Sequence, residues 1–166
     1  MRAVFAVLFI QLASSLASGA EPRYVVQMLD PRVVAVTEDT LPIEWGNKKT
    51  DVIATRKLLD SEAKLLLNLL KEELTTSTDV PFCGHHPAYA VQEIVDGKVT
   101  NTATLCGLCH TWARGGKLRV IKGDKSLNYL NSLLPLPDVF KGIKLRDMVF
   151  DEHPQPFYEM TRVAAE

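Results

Sequence analysis

Two short clusters, Cys83-Gly84-His85-His86 and Cys106-Gly107-Leu108-Cys109-His110, flank a stretch of alternating apolar and polar residues. That arrangement constrains the fold more than any other feature of the chain. Tyr89, Val91 and Val95 alternate with more polar positions, and Val99, Ala103 and Leu105 are interleaved with Thr100, Thr102 and Thr104. Strict alternation marks half-buried strands, and the intervening Asp96-Gly97-Lys98 is a strong turn signal. The pattern predicts an antiparallel hairpin over residues 88–106. Both apolar sets fall on odd-numbered positions, and residues opposite each other share a face, so paired numbers sum to about 192 or 194. In the lower register Cys83 falls opposite Cys109 and His86 opposite Cys106. The expectation is that Cys83, Cys106 and Cys109 gather with His85, His86 and His110 at the open end of the hairpin.

The remaining chain supplies what such a hairpin needs to be buried. Tyr24–Met28, Val33–Val36 and Val52–Leu58 are short β-like runs, and Glu38–Thr50 is polar and reads as a loop. Ser61–Leu74 carries Leu65, Leu66, Leu69 and Leu70 at helical spacing, with Asp60 or Ser61 as its start signal and Lys71, Glu72 and Glu73 facing water. Leu118–Ile121 predicts a strand, with Gly115-Gly116 as a break before it. A second helix follows from Lys125 to Leu134, capped by Asp124 and stopped by Pro135 and Pro137. The irregular order of strands and helices predicts an α+β fold, an antiparallel hairpin or sheet packed by two helices, with the Cys/His cluster at the hairpin base. The expected organisation is a signal peptide at 1–20, one α+β domain at 21–137 and a C-terminal tail at 138–166 that carries His153 in an acidic, Pro-containing setting.

The signal peptide is read from Arg2, the apolar run Ala3–Leu12, and small residues at Ser18 and Ala20. Cleavage after Ala20 leaves an exported, periplasmic or secreted protein with no integral membrane segment, since no later run reaches the ~18 apolar residues a spanning helix needs. Removing residues 1–20 takes away Arg2 alone among the charged residues, so the net charge of −1 becomes −2. A chain with 46% hydrophobic and 23% charged residues is neither disordered nor fibrous. Its near-neutral balance argues against nucleic acid as a general partner.

Export makes the cysteines informative, because thiols outside the cytoplasm tend to oxidise and three cannot all pair within one chain. Four chemistries fit the cluster. A disulfide from Cys83 to Cys109 or Cys106, or between Cys106 and Cys109, would leave one thiol over. A zinc site would draw its ligands from Cys83, His85, His86, Cys106 and Cys109, the Cys-x-x-Cys turn supplying two thiolates to one tetrahedral ion. Covalent haem c would use Cys106 and Cys109 as thioether donors and His110 as the proximal iron ligand. Over these five residues the sequence resembles the attachment motif of c-type cytochromes. Thiol–disulfide exchange by Cys106 and Cys109 is the fourth, although the surrounding βαβ pattern of a thioredoxin-like protein is missing.

No nucleophile elbow, phosphate-binding glycine loop or His-Glu-x-x-His motif occurs, and Cys83 with His85 reads as structural, not as nucleophile and base. Trp112 is expected to cover the cluster as a hydrophobic lid. The resulting expectation is a non-enzymatic exported protein with a structural disulfide or zinc cluster and a binding or scaffolding role. The alternative is a haem-binding, electron-transfer protein.

Overall fold

The computed structural model describes residues 21–43, 45–81 and 84–140. The expected signal peptide, Cys83 and all of the expected tail beyond Phe140 lie outside the described residues. Over the described residues the fold is a seven-stranded, wholly antiparallel curled sheet with two α-helices, an α+β domain. Its strands are β1 (Arg23–Leu29), β2 (Thr40–Ile43), β3 (Lys48–Lys57), β4 (Tyr89–Val95), β5 (Lys98–Cys106), β6 (Thr111–Arg114) and β7 (Lys117–Val120). They lie in the order β2-β3-β1-β4-β5-β6-β7. The helices are α1 (Asp60–Glu73) and α2 (Lys125–Leu133).

The predicted hairpin is β4–β5. Its connection is the two-residue turn Asp96-Gly97, with φ of 51° and 74°. Positive φ at both central residues suits the twist of the flanking strands, and Asp-Gly is a preferred pair there. Tyr89 pairs with Leu105 and Glu93 with Asn101, a constant sum of 194, before a bulge shifts the register next to the turn. The ladder therefore runs in the higher of the two predicted registers.

Alternation sorts the side chains onto two faces. Val26, Met28, Tyr89, Val91 and Leu105 form one core with Leu66 and Leu70 of α1 and Leu127 and Leu130 of α2. Fully burying one such leucine contributes about 1.5–3 kcal/mol, so this helix-covered face holds most of the apolar driving force. The opposite face carries a smaller apolar patch of Leu29, Leu41 and Ala90, together with Thr104, Cys106 and Thr111.

Several local expectations are revised. Val33–Val36 is not a strand: Val33 sits at φ 60° in a turn, and Val36 is exposed. The polar stretch 38–50 contains β2 and the start of β3, joined by a turn with Gly46 at φ 82° and Asn47 at φ 51°. Here cross-strand pairing overrides a composition that reads as loop. Thr111–Arg114 forms β6, so Gly115-Gly116 is a hairpin turn and not merely a break.

In α1 the buried stripe is Ala63, Leu66, Leu70 and Glu73, while Leu65 is exposed. Glu73 does not face water. Neither Asp60 nor Ser61 is the cap; Leu59 occupies that position and its N–H donates to Glu62 Oε2 at 3.0 Å. Residues Asp138–Phe140, expected to begin the tail, form a 3-10 turn that buries Phe140.

Candidate functional site

The Cys-x-x-Cys-His segment is the connection between β5 and β6. Cys106 closes β5 opposite Thr111, and His110 takes a left-handed conformation at φ 47° to turn the chain back. Alternation points Cys106 to the face away from the helices, where it is completely buried. Its Sγ accepts the Cys109 N–H at 3.4 Å. The backbone N–H groups of His86 and Leu108 and the Thr111 hydroxyl also hydrogen-bond the sulfur. Burial pushes the thiol pKa up, and these contacts act in the opposite direction. Among the described residues Cys106 is the free cysteine, and Cys109 is not a free thiol.

The segment carrying His85 and His86 runs past the end of β4, with the Ala88 N–H still donating to the Leu105 carbonyl at 3.0 Å. It lays His85 over the same face as Cys106. The ring nitrogens of His85 lie 2.9 Å from Thr111 Oγ1 and 2.8 Å from Thr104 Oγ1. Hydroxyls can donate or accept, so a neutral ring is satisfied in either tautomer. An imidazolium would need both threonines to accept. Desolvation is the main cause, with the neighbouring His86 second, that takes the His85 pKa down to about 4.

His86 is half-buried and bonds the Pro31 carbonyl, and burial pushes its pKa down as well. Among the described residues its buried Nδ1 has no hydrogen-bond partner. The two histidines thus do different work: His85 joins β5 and β6 to the 84–88 segment, and His86 ties that segment to the turn after β1.

The predicted gathering of the six side chains is therefore not shown among the described residues. Cys106, Cys109 and His85 are buried at this end of the sheet, and His86 is half-buried. His110 leaves the group and faces Asp124 across 3.5 Å at the surface. Cys83 lies outside the described residues. Among the described residues, no three His, Cys, Asp or Glu side chains form a group able to hold a metal ion.

Trp112 is not a lid on the cluster. It neighbours Leu105 on the helix-covered face, packs against the main core and donates its Nε1–H to the Thr75 carbonyl at 3.2 Å. One position of parity separates it from Cys106, so the sheet itself lies between them.

Two polar arrangements escaped the sequence reading. Asp30 and Arg32 form a buried ion pair at 2.5 Å, with Arg32 stacked 5.7 Å above the Phe140 ring centroid. The Asp-Pro-Arg triplet reads only as a turn; nothing local says that both charges are buried. Glu73 reaches the start of α2. It accepts from the backbone N–H groups of Lys125 and Ser126 at 2.8 Å each and from the Ser126 hydroxyl at 2.6 Å. Gly123 makes room for it, since a Cβ at that position would lie 3.0 Å from Glu73 Oε1.

Comparison with protein families, characterised proteins and solved structures returned no match. The functional reading therefore rests on the residues and their geometry.

Proposed function

We propose that the chain is an exported binding or scaffolding domain whose Cys/His cluster is structural, tied by a Cys83–Cys109 disulfide with Cys106 kept as a buried thiol. The observation that carries this reading is the contrast between the two cysteines of the Cys-x-x-Cys turn: Cys106 is a free, fully buried thiol, whereas Cys109 is not a free thiol. Such a bridge would close a loop of about 25 residues and stabilise the fold by ~3 kcal/mol. It would hold the 84–88 segment against the ends of β5 and β6, the same places that His85 engages through Thr104 and Thr111.

A second structural reading has one specific observation in its favour. The unpartnered, buried His86 Nδ1 belongs to the residue whose backbone N–H meets the Cys106 sulfur. With Cys83 and Cys109 that donor set would suit zinc. Haem attachment is less well supported. Both thiols must reach one porphyrin edge, and Cys106 is turned into the interior while His110 faces Asp124 on the surface.

Peptide mapping of the non-reduced, alkylated protein tests the proposal. A peptide linked through Cys83 and Cys109, with alkylation of Cys106 only after unfolding, is expected. One zinc per chain with all three cysteines alkylatable after chelation would replace the disulfide by the metal. A Soret band that survives acid–acetone extraction would overturn both structural readings.

A further inference from the structure

The helix-covered face of the sheet is left open along one side. Beside the C-terminal half of α1 there is a groove of about 520 Å³. Val91 and Ala103 lie among the strand residues that line it, and Leu67, Leu70, Leu74 and Trp112 line it from the helix and from β6. Alternation brings polar groups onto this same surface: Glu93 follows Val91 on β4, Asn101 precedes Ala103 on β5, and Arg114 follows Trp112 on β6. Lys71 joins them from α1.

A second hollow, of about 390 Å³, shares Thr75, Thr76, Trp112 and Arg114 with the groove and adds Lys117 and Arg119. Four cations (Lys71, Arg114, Lys117 and Arg119) and one acid (Glu93) therefore line a continuous depression, a local charge of +3 on a chain whose net charge is −1. Glu93 is already engaged, accepting from the Tyr24 hydroxyl and the Asn101 amide at 3.3 Å each. Lys71, Arg114 and Lys117 form no ion pair among the described residues. Guarding a sheet edge against pairing explains cations on β7. It does not explain Lys71 on α1, nor Arg114 on the inner strand β6, both beside an apolar floor.

We propose that this depression binds a small amphipathic anion, with a carboxylate, sulfonate or phosphate head on an aromatic or alkyl body. The body lies on Val91 and Ala103 against Trp112, and the head is held by the planar fork of Arg114 with Lys71 and Lys117 alongside. This gives a site and a ligand class to the binding role proposed above and rests on that reading for the role. The cysteine chemistry lies on the other face of the sheet, so disulfide mapping and ligand binding succeed or fail separately.

Fluorescence titration of the mature protein with anilinonaphthalene sulfonate tests the site, with neutral N-phenylnaphthylamine as the uncharged counterpart. Saturable binding of one anionic dye per chain is expected, displaced by decanoate or by phenyl phosphate. Which of the two competes better identifies the preferred head group. Arg114→Glu should weaken the dye by about tenfold or more, and Lys71→Glu should also weaken it. Lys49→Glu, on β3 beside the β2–β3 turn and outside the lining of both hollows, should leave it unchanged, with all variants giving the wild-type circular dichroism. Equal affinity of wild type, Arg114→Glu and Lys71→Glu, or equal affinity for the neutral dye, would overturn the proposal.

Discussion

The Nε2 atom of His85 lies 2.8 Å from Thr104 Oγ1, and both residues are buried. The ring is thus held as a neutral cross-brace between a loop and the end of β5. Its folded pKa of about 4 is below the ordinary 6.5. Between those values the unfolded chain binds the proton and the folded chain does not, so stability is fully present above about pH 6.5 and falls as pH drops toward 4. The loss should approach ~3 kcal/mol. Thermal unfolding from pH 7.5 to 4 should show a falling midpoint, flattened in His85→Gln; an equally steep fall in that variant would rule His85 out as the source.

The proposed disulfide makes a paired prediction. Cys83→Ser and Cys109→Ser should each lose about 2–5 kcal/mol, lowering the thermal midpoint by several degrees or more, and the double variant should be no worse than either. Reductant should bring wild type to the same midpoint. A midpoint unmoved by reductant but lowered by chelator would point to zinc in place of the bridge.

Glu73 couples the two helices. Burial by itself would raise its carboxyl pKa, but the Ser126 hydroxyl and the N–H groups of Ser126 and Lys125 hold it below the ordinary value. The start of α2, where the helix dipole is positive, also favours the charged form. Glu73→Gln should cost about 1–3 kcal/mol, and Gly123→Ala should also destabilise, through its 3.0 Å approach to Glu73 Oε1 and its φ of 125°. Denaturant midpoints of both variants check this. Since Glu73 has a lowered pKa, its contribution is lost as pH falls, and Glu73→Gln should be closest to wild type in acid.

Asp30→Asn should be among the most damaging single changes on the other face. It removes the carboxylate from a guanidinium that is itself buried, and breaking such a pair from one side costs about 3 kcal/mol or more. Replacing Lys125, whose pairing with Glu72 is exposed on both sides, should change the urea midpoint very little.

What the sequence determined by itself was the local and periodic part of the structure. The alternation around Asp96-Gly97 specified the β4–β5 hairpin and its even-sum register, because a one-residue slip would turn every apolar side chain to the wrong face. The leucine spacings specified where both helices lie, and a β-run before Cys106 placed the Cys-x-x-Cys-His turn at a strand end. The tertiary structure decided which face each residue joined and what covers it. Trp112 and Cys106 are separated by the sheet because β6 pairs with β5, a pairing the four residues of β6 are too short to announce. Glu73 is buried because the start of α2 docks against the end of α1, and Asp30 with Arg32 because loops close over the second face. Burial of a charge depends on partners distant in sequence, such as the 53 positions between Glu73 and Ser126, and no local pattern encodes it.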